Sequence, residues 1–180
     1  EMSIHSRIVK AINSPCEPNK LLGSAPYDQN TSRNLLTLPI VTHFEKDAGP
    51  YITASIVSVK DQETGNQNSS THRLLKLDDK HMVIRMVEGR HLHKCFTYAK
   101  EHGEDLKIAI TIGIHPSIGI AAAYQAAYGI DEMLIANSLL DNQLTLSKLD
   151  YSQLFVPTHA EIILEGRILN DVTHKEWMVE

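Results

Sequence analysis

One stretch limits what this chain of 180 residues can fold into more than any other: residues 106–114, Leu-Lys-Ile-Ala-Ile-Thr-Ile-Gly-Ile. A strand with one wet face alternates apolar and polar residues, whereas a strand buried on both faces reads as a nearly continuous apolar run. The run is almost unbroken and rich in β-branched side chains, so it is expected at the centre of a sheet. Ile52, Ala54, Ile56 and Ser58, set against Thr53, Ser55, Val57 and Val59, read as a second strand with both faces partly buried. Residues 71–77 and 81–87 are β-rich runs joined by Asp78-Asp-Lys80, a hairpin signature. Two more strands are expected over 143–149 and 160–169, with Pro157 marking the break between them.

Helical periodicity sits between these strands. Ile4, Ile8, Val9 and Ile12 form the apolar stripe of an amphipathic N-terminal helix. Turn chemistry follows in Ser14-Pro-Cys-Glu-Pro18 and Gly23-Ser-Ala-Pro26, and residues 36–41 read as a short extended segment leading into a loop over 43–50. The pattern from His91 to His102 is helical, and Gly103 supplies its stop. Pro116 opens another helix through Ala121-Ala-Ala123 to about Tyr128, and Asp131 caps a third from Glu132 to Leu140. The fold class expected is α+β: antiparallel strands in a compact barrel-like sheet with flanking helices. It divides into an N-terminal helix and loop segment (1–35), the main domain (36–170) and a C-terminal tail (171–180).

Composition removes several function classes. A net charge of −5 and a pI near 6.1 argue against nucleic acid or an anionic membrane as the main partner. No apolar run approaches the roughly 18 residues of a membrane span, so no membrane insertion is expected. Cys16 and Cys95 are the only cysteines, which excludes a disulfide framework and fits a reducing cytoplasm.

The chemistry-bearing residues cluster in Asn68-Ser-Ser-Thr-His-Arg73, Arg85-Met-Val and Arg90-His91. There is no Walker sequence and no GxGxxG after a strand, so a phosphate would be met by a metal ion together with Arg73, Arg85 or Arg90. The plainer reading of these arginines is a solvated strand edge. Asn68, His91 and Glu132 are an oxygen and nitrogen donor set suited to manganese or magnesium. Against that, Glu132 is also a favourable first-turn carboxylate, and His91-Leu-His93 an ordinary polar helix start. Glu161 and Glu165 share one face of a strand and read as solvated, not as paired acids. Glu176 and Glu180 are candidates for a general acid, with a frayed chain end as the alternative. Ser69, Ser70 and Cys95 do not compose a nucleophile triad.

In order and spacing the chain resembles the UbiD family of reversible, non-oxidative decarboxylases. The resemblance runs through Leu38-Pro-Ile40, His43-Phe-Glu-Lys-Asp-Ala-Gly-Pro-Tyr-Ile-Thr53, Gln67-Asn68 to Arg73, Ile84-Arg85, Ile112-Gly-Ile-His-Pro116, Asp131-Glu132, Val156-Pro157 and Ala160-Glu-Ile-Ile-Leu-Glu-Gly166. It implies a split β-barrel of the FMN-binding, flavin-reductase-like type and prenylated FMN as cofactor. It also implies manganese (or magnesium) on Asn68, His91 and Glu132, with potassium nearby. Thr71, His72, Arg73, Arg85, Met86, Val87, Arg90 and His91 would line the flavin, and Arg73 would hold the carboxylate of an aromatic or α,β-unsaturated acid. A flavin prenyltransferase would supply the cofactor, and the full-length enzyme would be a homo-oligomer. Family members are longer, so the chain is expected to be their cofactor-binding part. The family's acidic run after the last barrel strand is replaced here by Thr173-His-Lys-Glu176-Trp-Met-Val-Glu180, where Glu176 and Glu180 would stand in for the two acids. Two other readings are a stand-alone flavin- or metal-phosphate-binding module without turnover, and a split-barrel flavin reductase.

Overall fold

The computed structural model describes residues 3–174, so Glu176 and Glu180 lie outside the described residues. Its centre is an antiparallel five-stranded sheet in the order β4 (Met82–Ile84), β3 (Gln67–Lys76), β2 (Tyr51–Lys60), β5 (Leu106–Ile112), β8 (Ile162–Ile168). The apolar run leads β5 between β2 and β8, as its two-sided burial requires, with Val57 opposite Ile110 and Ile110 opposite Leu164. A bulge between Ile52 and Ser55 shifts the register of β2 against β3 and sharpens the local twist of the sheet. A second, smaller sheet joins β1 (Asn19–Lys20), β6 (Thr145–Lys148) and β7 (Phe155–Pro157).

Alternation along the strands sorts the side chains into two cores. Val57, Val59, Leu74, Ile108 and Ile110 pack with Leu92, Cys95 and Ala99 of α2 (His91–Glu101) on one face. Ile56 on the other face meets α3 (Pro116–Ala123) and α4 (Glu132–Leu139), with Ala11 of α1 (Ile4–Asn13) and Leu146 of β6. The sheet therefore carries helices on both faces. The two layers approach one another at the start of β3, where Asn68 stands.

Helix ends follow local chemistry. Asp131 caps α4 by accepting from the Met133 N–H at 2.9 Å, and Ser3 caps α1 by accepting from Ser6. The α2 chain turns off at Gly103, with φ +71°. Three expectations need correction. The helix opened by Pro116 ends at Ala123 and not near Tyr128, because Tyr124 is already extended. Residues 36–41 are not extended throughout, since a 3₁₀ turn spans Leu35–Thr37 under an Asn34 cap. Pro157 ends a short strand, β7, and does not simply interrupt two others; its missing N–H is tolerable there because β7 has no partner beyond β6. Within residues 1–35, α1 packs its Ala11 against the α4 core and β1 pairs in parallel with β6.

Candidate active site

Three chain segments meet in one buried cluster. Asn68 lies on β3, His91 is the first residue of α2, and Glu132 is the first residue of α4. The Asn68 Nδ2 lies 3.0 Å from His91 Nδ1 and 3.0 and 3.1 Å from the two Glu132 carboxylate oxygens. The Ser69 backbone N–H donates to Glu132 Oε2 at 2.8 Å. Sequence spacing brings none of these together; the two-layer packing does.

The electrostatics are those of a site short of positive charge. Glu132 is 3% exposed, and burial pushes its carboxyl up to about 7 in spite of the hydrogen bonds from Ser69 and Asn68. Burial, and then the nearby Lys94 charge, hold His91 below its ordinary value, so it is neutral with a lone pair to give. Asn68 Oδ1 is the one buried side-chain oxygen or nitrogen among the described residues that has no hydrogen-bond partner. An orphaned amide oxygen, a neutral imidazole nitrogen and a buried carboxylate are together the donor set of a hard divalent cation. No three His, Cys, Asp or Glu side chains cluster among the described residues; the third donor here is an amide. The residues present fit a divalent ion, whose charge would offset the cost of burying the Glu132 carboxylate.

The residues expected to line a flavin divide between the two faces of β3. Alternation sends Asn68, Ser70 and His72 toward the α2 face, and Thr71 and Arg73 to the opposite one. His72 is neutral because burial lowers its pKa. The Arg85 carbonyl 3.1 Å from its Nδ1 can only accept. The other ring nitrogen, Nε2, lies 2.9 Å from Ser70 Oγ and must then accept from that hydroxyl. This chain of bonds ties β3 to the backbone at Arg85. Met86 packs against the α2-side core while Val87 is exposed, and the Arg90 N–H closes a turn on the Val87 carbonyl at 3.2 Å. Arg90 itself is exposed.

Other weighed residues have structural partners. Glu165 accepts from both the N–H and the hydroxyl of Ser152, so it caps a turn as well as meeting solvent. The Cys95 thiol is buried and pushed up to about 11 by burial, which leaves it unreactive. Two residues that spacing did not single out border the site. Asp61 and Tyr128 line a small pocket with Asn68 and His91, and the Tyr128 ring stands edge-on to the imidazole, centroids 5.5 Å apart. No sequence signal marks them, because their loops become neighbours only in the folded chain.

Comparison with known proteins gives a consistent picture. Residues 19–180 match the family described as "UbiD: 3-octaprenyl-4-hydroxybenzoate carboxy-lyase Rift-related domain". The anhydromevalonate phosphate decarboxylase of Methanothermobacter thermautotrophicus is 39% identical over 173 residues, which is 96% of this chain and 40% of that protein. The enzyme of the same name from Methanocaldococcus jannaschii is 43% identical over 139 residues, 77% of this chain and 32% of its own. An evolved dimeric form of the UbiD-class enzyme HmfF from Pelotomaculum thermopropionicum, solved in complex with prFMN, superposes with a TM-score of 0.86 at 34% identity. That superposition covers 95% of this chain and 41% of HmfF, so the chain spans about two fifths of the length of such relatives. The fold is accordingly a mixed α+β domain with a curled antiparallel half-barrel sheet. The chain belongs to the UbiD family.

Proposed function

We propose that this chain is the cofactor-binding part of a decarboxylase that removes CO₂ reversibly from an α,β-unsaturated or aromatic carboxylic acid. The cofactors of this reading are prenylated FMN and manganese or magnesium, with potassium nearby. The observation that carries it is the convergence of His91 and Glu132 on the Asn68 side-chain amide, whose Oδ1 is buried without a hydrogen-bond partner. The half-barrel sheet is the part of a split β-barrel that this chain supplies, and the whole enzyme is a homo-oligomer. The archaeal relatives are named for anhydromevalonate phosphate, so an acid that also bears a phosphate is the substrate class favoured here.

Prenylated FMN, when bound, supplies the electron sink that loss of CO₂ from an sp² carbon requires. The chain does the rest. Asn68, His91 and Glu132 would hold the metal ion, whose charge would offset that of the cofactor phosphate. Thr71, His72, Arg85, Met86, Val87 and Arg90 line the flavin, and the His72 bond to the Arg85 carbonyl fixes the spacing of the two segments. Arg73 binds the substrate carboxylate with its planar fork and holds it against the reacting carbon. Glu176 and Glu180 are the groups proposed to deliver the proton that replaces CO₂.

Co-expression with a flavin prenyltransferase tests this directly, with absorbance spectra and mass spectrometry of the small molecules that co-purify. Prenylated FMN with stoichiometric manganese is the expected result. Protein that repeatedly purifies without flavin and without metal under those conditions overturns the reading.

A further inference from the structure

We propose that Tyr128 is a positioning residue for His91: its ring edge holds the imidazole in the orientation that places Nδ1 against the Asn68 amide. The proposal rests on the metal-site reading given above and adds a part of the chain to it.

Tyr128 belongs to the connection between α3 and α4 and is held from three sides. Its ring edge meets the His91 ring at 5.5 Å between centroids, with the planes inclined at 71°. The Lys94 ammonium, one helical turn beyond His91, lies over the Tyr128 ring at 5.0 Å from the centroid. Its hydroxyl stands between two carboxylates and shares its one proton with them, donating to Glu63 at 3.3 Å with Asp61 as the other acceptor. Asp61 is buried, and its Oδ1 accepts from the backbone N–H groups of Glu63 and Thr64 at 2.8 and 3.3 Å. The anchor for the phenol is therefore itself tied to the loop between β2 and β3. A second tether fastens the neighbouring backbone, because Asn66 Nδ2 donates to the Gly129 carbonyl at 2.8 Å.

These contacts matter because His91 has little else to fix its ring. It is the first residue of α2, so no preceding helical turn packs against it, and among the described residues the imidazole makes one hydrogen bond, from Nδ1 to Asn68. Asn68 Nδ2 can only donate, so Nδ1 accepts and the proton resides on Nε2. Without a wall on the other side, the ring is free to rotate about its χ angles or to exchange its nitrogens. A histidine that ligates a metal ordinarily has such support, and its removal weakens metal binding by about 10–100-fold. Here the support is an aromatic edge with its hydroxyl clamped, not a carboxylate bonded directly to the ring. Because Tyr128 is 45% exposed, the ring can be truncated without hollowing a core.

The test compares Tyr128→Ala and Tyr128→Phe with the unaltered chain, using Mn²⁺ in the presence of FMN and counting free Mn²⁺ by electron paramagnetic resonance. Asn68→Ala is the control for the metal site itself. Tyr128→Ala is expected to weaken Mn²⁺ binding by about 10–100-fold with little change in melting temperature. Tyr128→Phe, which keeps the ring edge, should recover most of the affinity. A second readout needs no metal: ¹⁵N spectra of the His91 ring should show one fixed tautomer in the unaltered chain and an averaged pattern in Tyr128→Ala. Equal Mn²⁺ affinity and an unchanged His91 spectrum in Tyr128→Ala overturn the positioning role while leaving the metal site standing. Failure of the unaltered chain to take up Mn²⁺ overturns the metal reading, and positioning for ligation with it.

Discussion

Replacing Glu132 by glutamine isolates the charge at the centre of the site, because the side chain keeps its size. In the metal-free protein the Glu132 carboxyl is pushed up from 4.5 to about 7, chiefly by burial. Between those values the folded chain holds a proton that the unfolded chain releases. This contribution to stability is therefore fully present below 4.5 and is lost as the pH rises through 7. At about 1.36 kcal/mol per pH unit, the interval amounts to roughly 3 kcal/mol, or roughly 6–12 °C in melting temperature for a domain of this size. Glu132→Gln has no such titration. Asn68 can turn its amide over to accept from the introduced glutamine, which also gives its orphaned oxygen a partner. Thermal melting at pH 5, 6, 7 and 8, with and without Mn²⁺, reads both effects. Between pH 5 and 8 the metal-free variant should decline less than the parent, keeping only the smaller loss due to Asp131, which burial pushes up to about 6, and Mn²⁺ at pH 8 should raise the parent alone. Parallel pH profiles in the two metal-free proteins would refute the burial argument.

Four further outcomes are expected. Asn68→Ala should purify without bound flavin when the prenyltransferase is co-expressed, and undiminished flavin by absorbance would remove Asn68 from the site. In a full-length protein carrying this chain, Arg73→Ala should keep some flavin yet lose decarboxylation, measured as CO₂ release. Leu74 is 1% exposed in the α2-side core, so Leu74→Ala should cost about 2–5 kcal/mol in urea unfolding. Gly113 has φ +69°, and a Cβ there would stand 2.4 Å from Glu161 Oε2. Gly113→Ala should therefore lose about 1–3 kcal/mol of stability.

The sheet was readable because its signals are local. The apolar run of β5, the alternation of β2 and the Asp78-Asp-Lys80 turn each declare an element without reference to the rest of the chain. The errors fell where a neighbour decides the outcome. Tyr124 leaves the helical conformation at a point the alanine run does not mark, and β7 exists only because β6 is there to pair with it. The β-rich run over 71–77 extends back to Gln67 in β3, where polar Asn68 and Ser69 are buried against Glu132 and Ser58. The site was legible as a resemblance before it was legible as geometry. Asn68, His91 and Glu132 could be named from motif order, but the residues in the shell around them could not. Tyr128 and Asp61 sit in loops whose proximity depends on both helical layers being in place.

A metal ion held by Asn68, His91 and Glu132 would act as a topological rivet. Asn68 is separated from His91 by 23 positions and from Glu132 by 64, and the two partners come from helices packed on opposite faces of the sheet. Because the donors converge only once both layers are assembled, the ion would bind the folded chain and not the unfolded one, and would stabilise the fold by mass action. Occupancy of the site would then report on completion of the fold: a chain with one layer misdocked could not present the third donor. Cofactor loading in such a protein becomes a checkpoint on assembly, and metal supply a determinant of how much chain survives to be loaded.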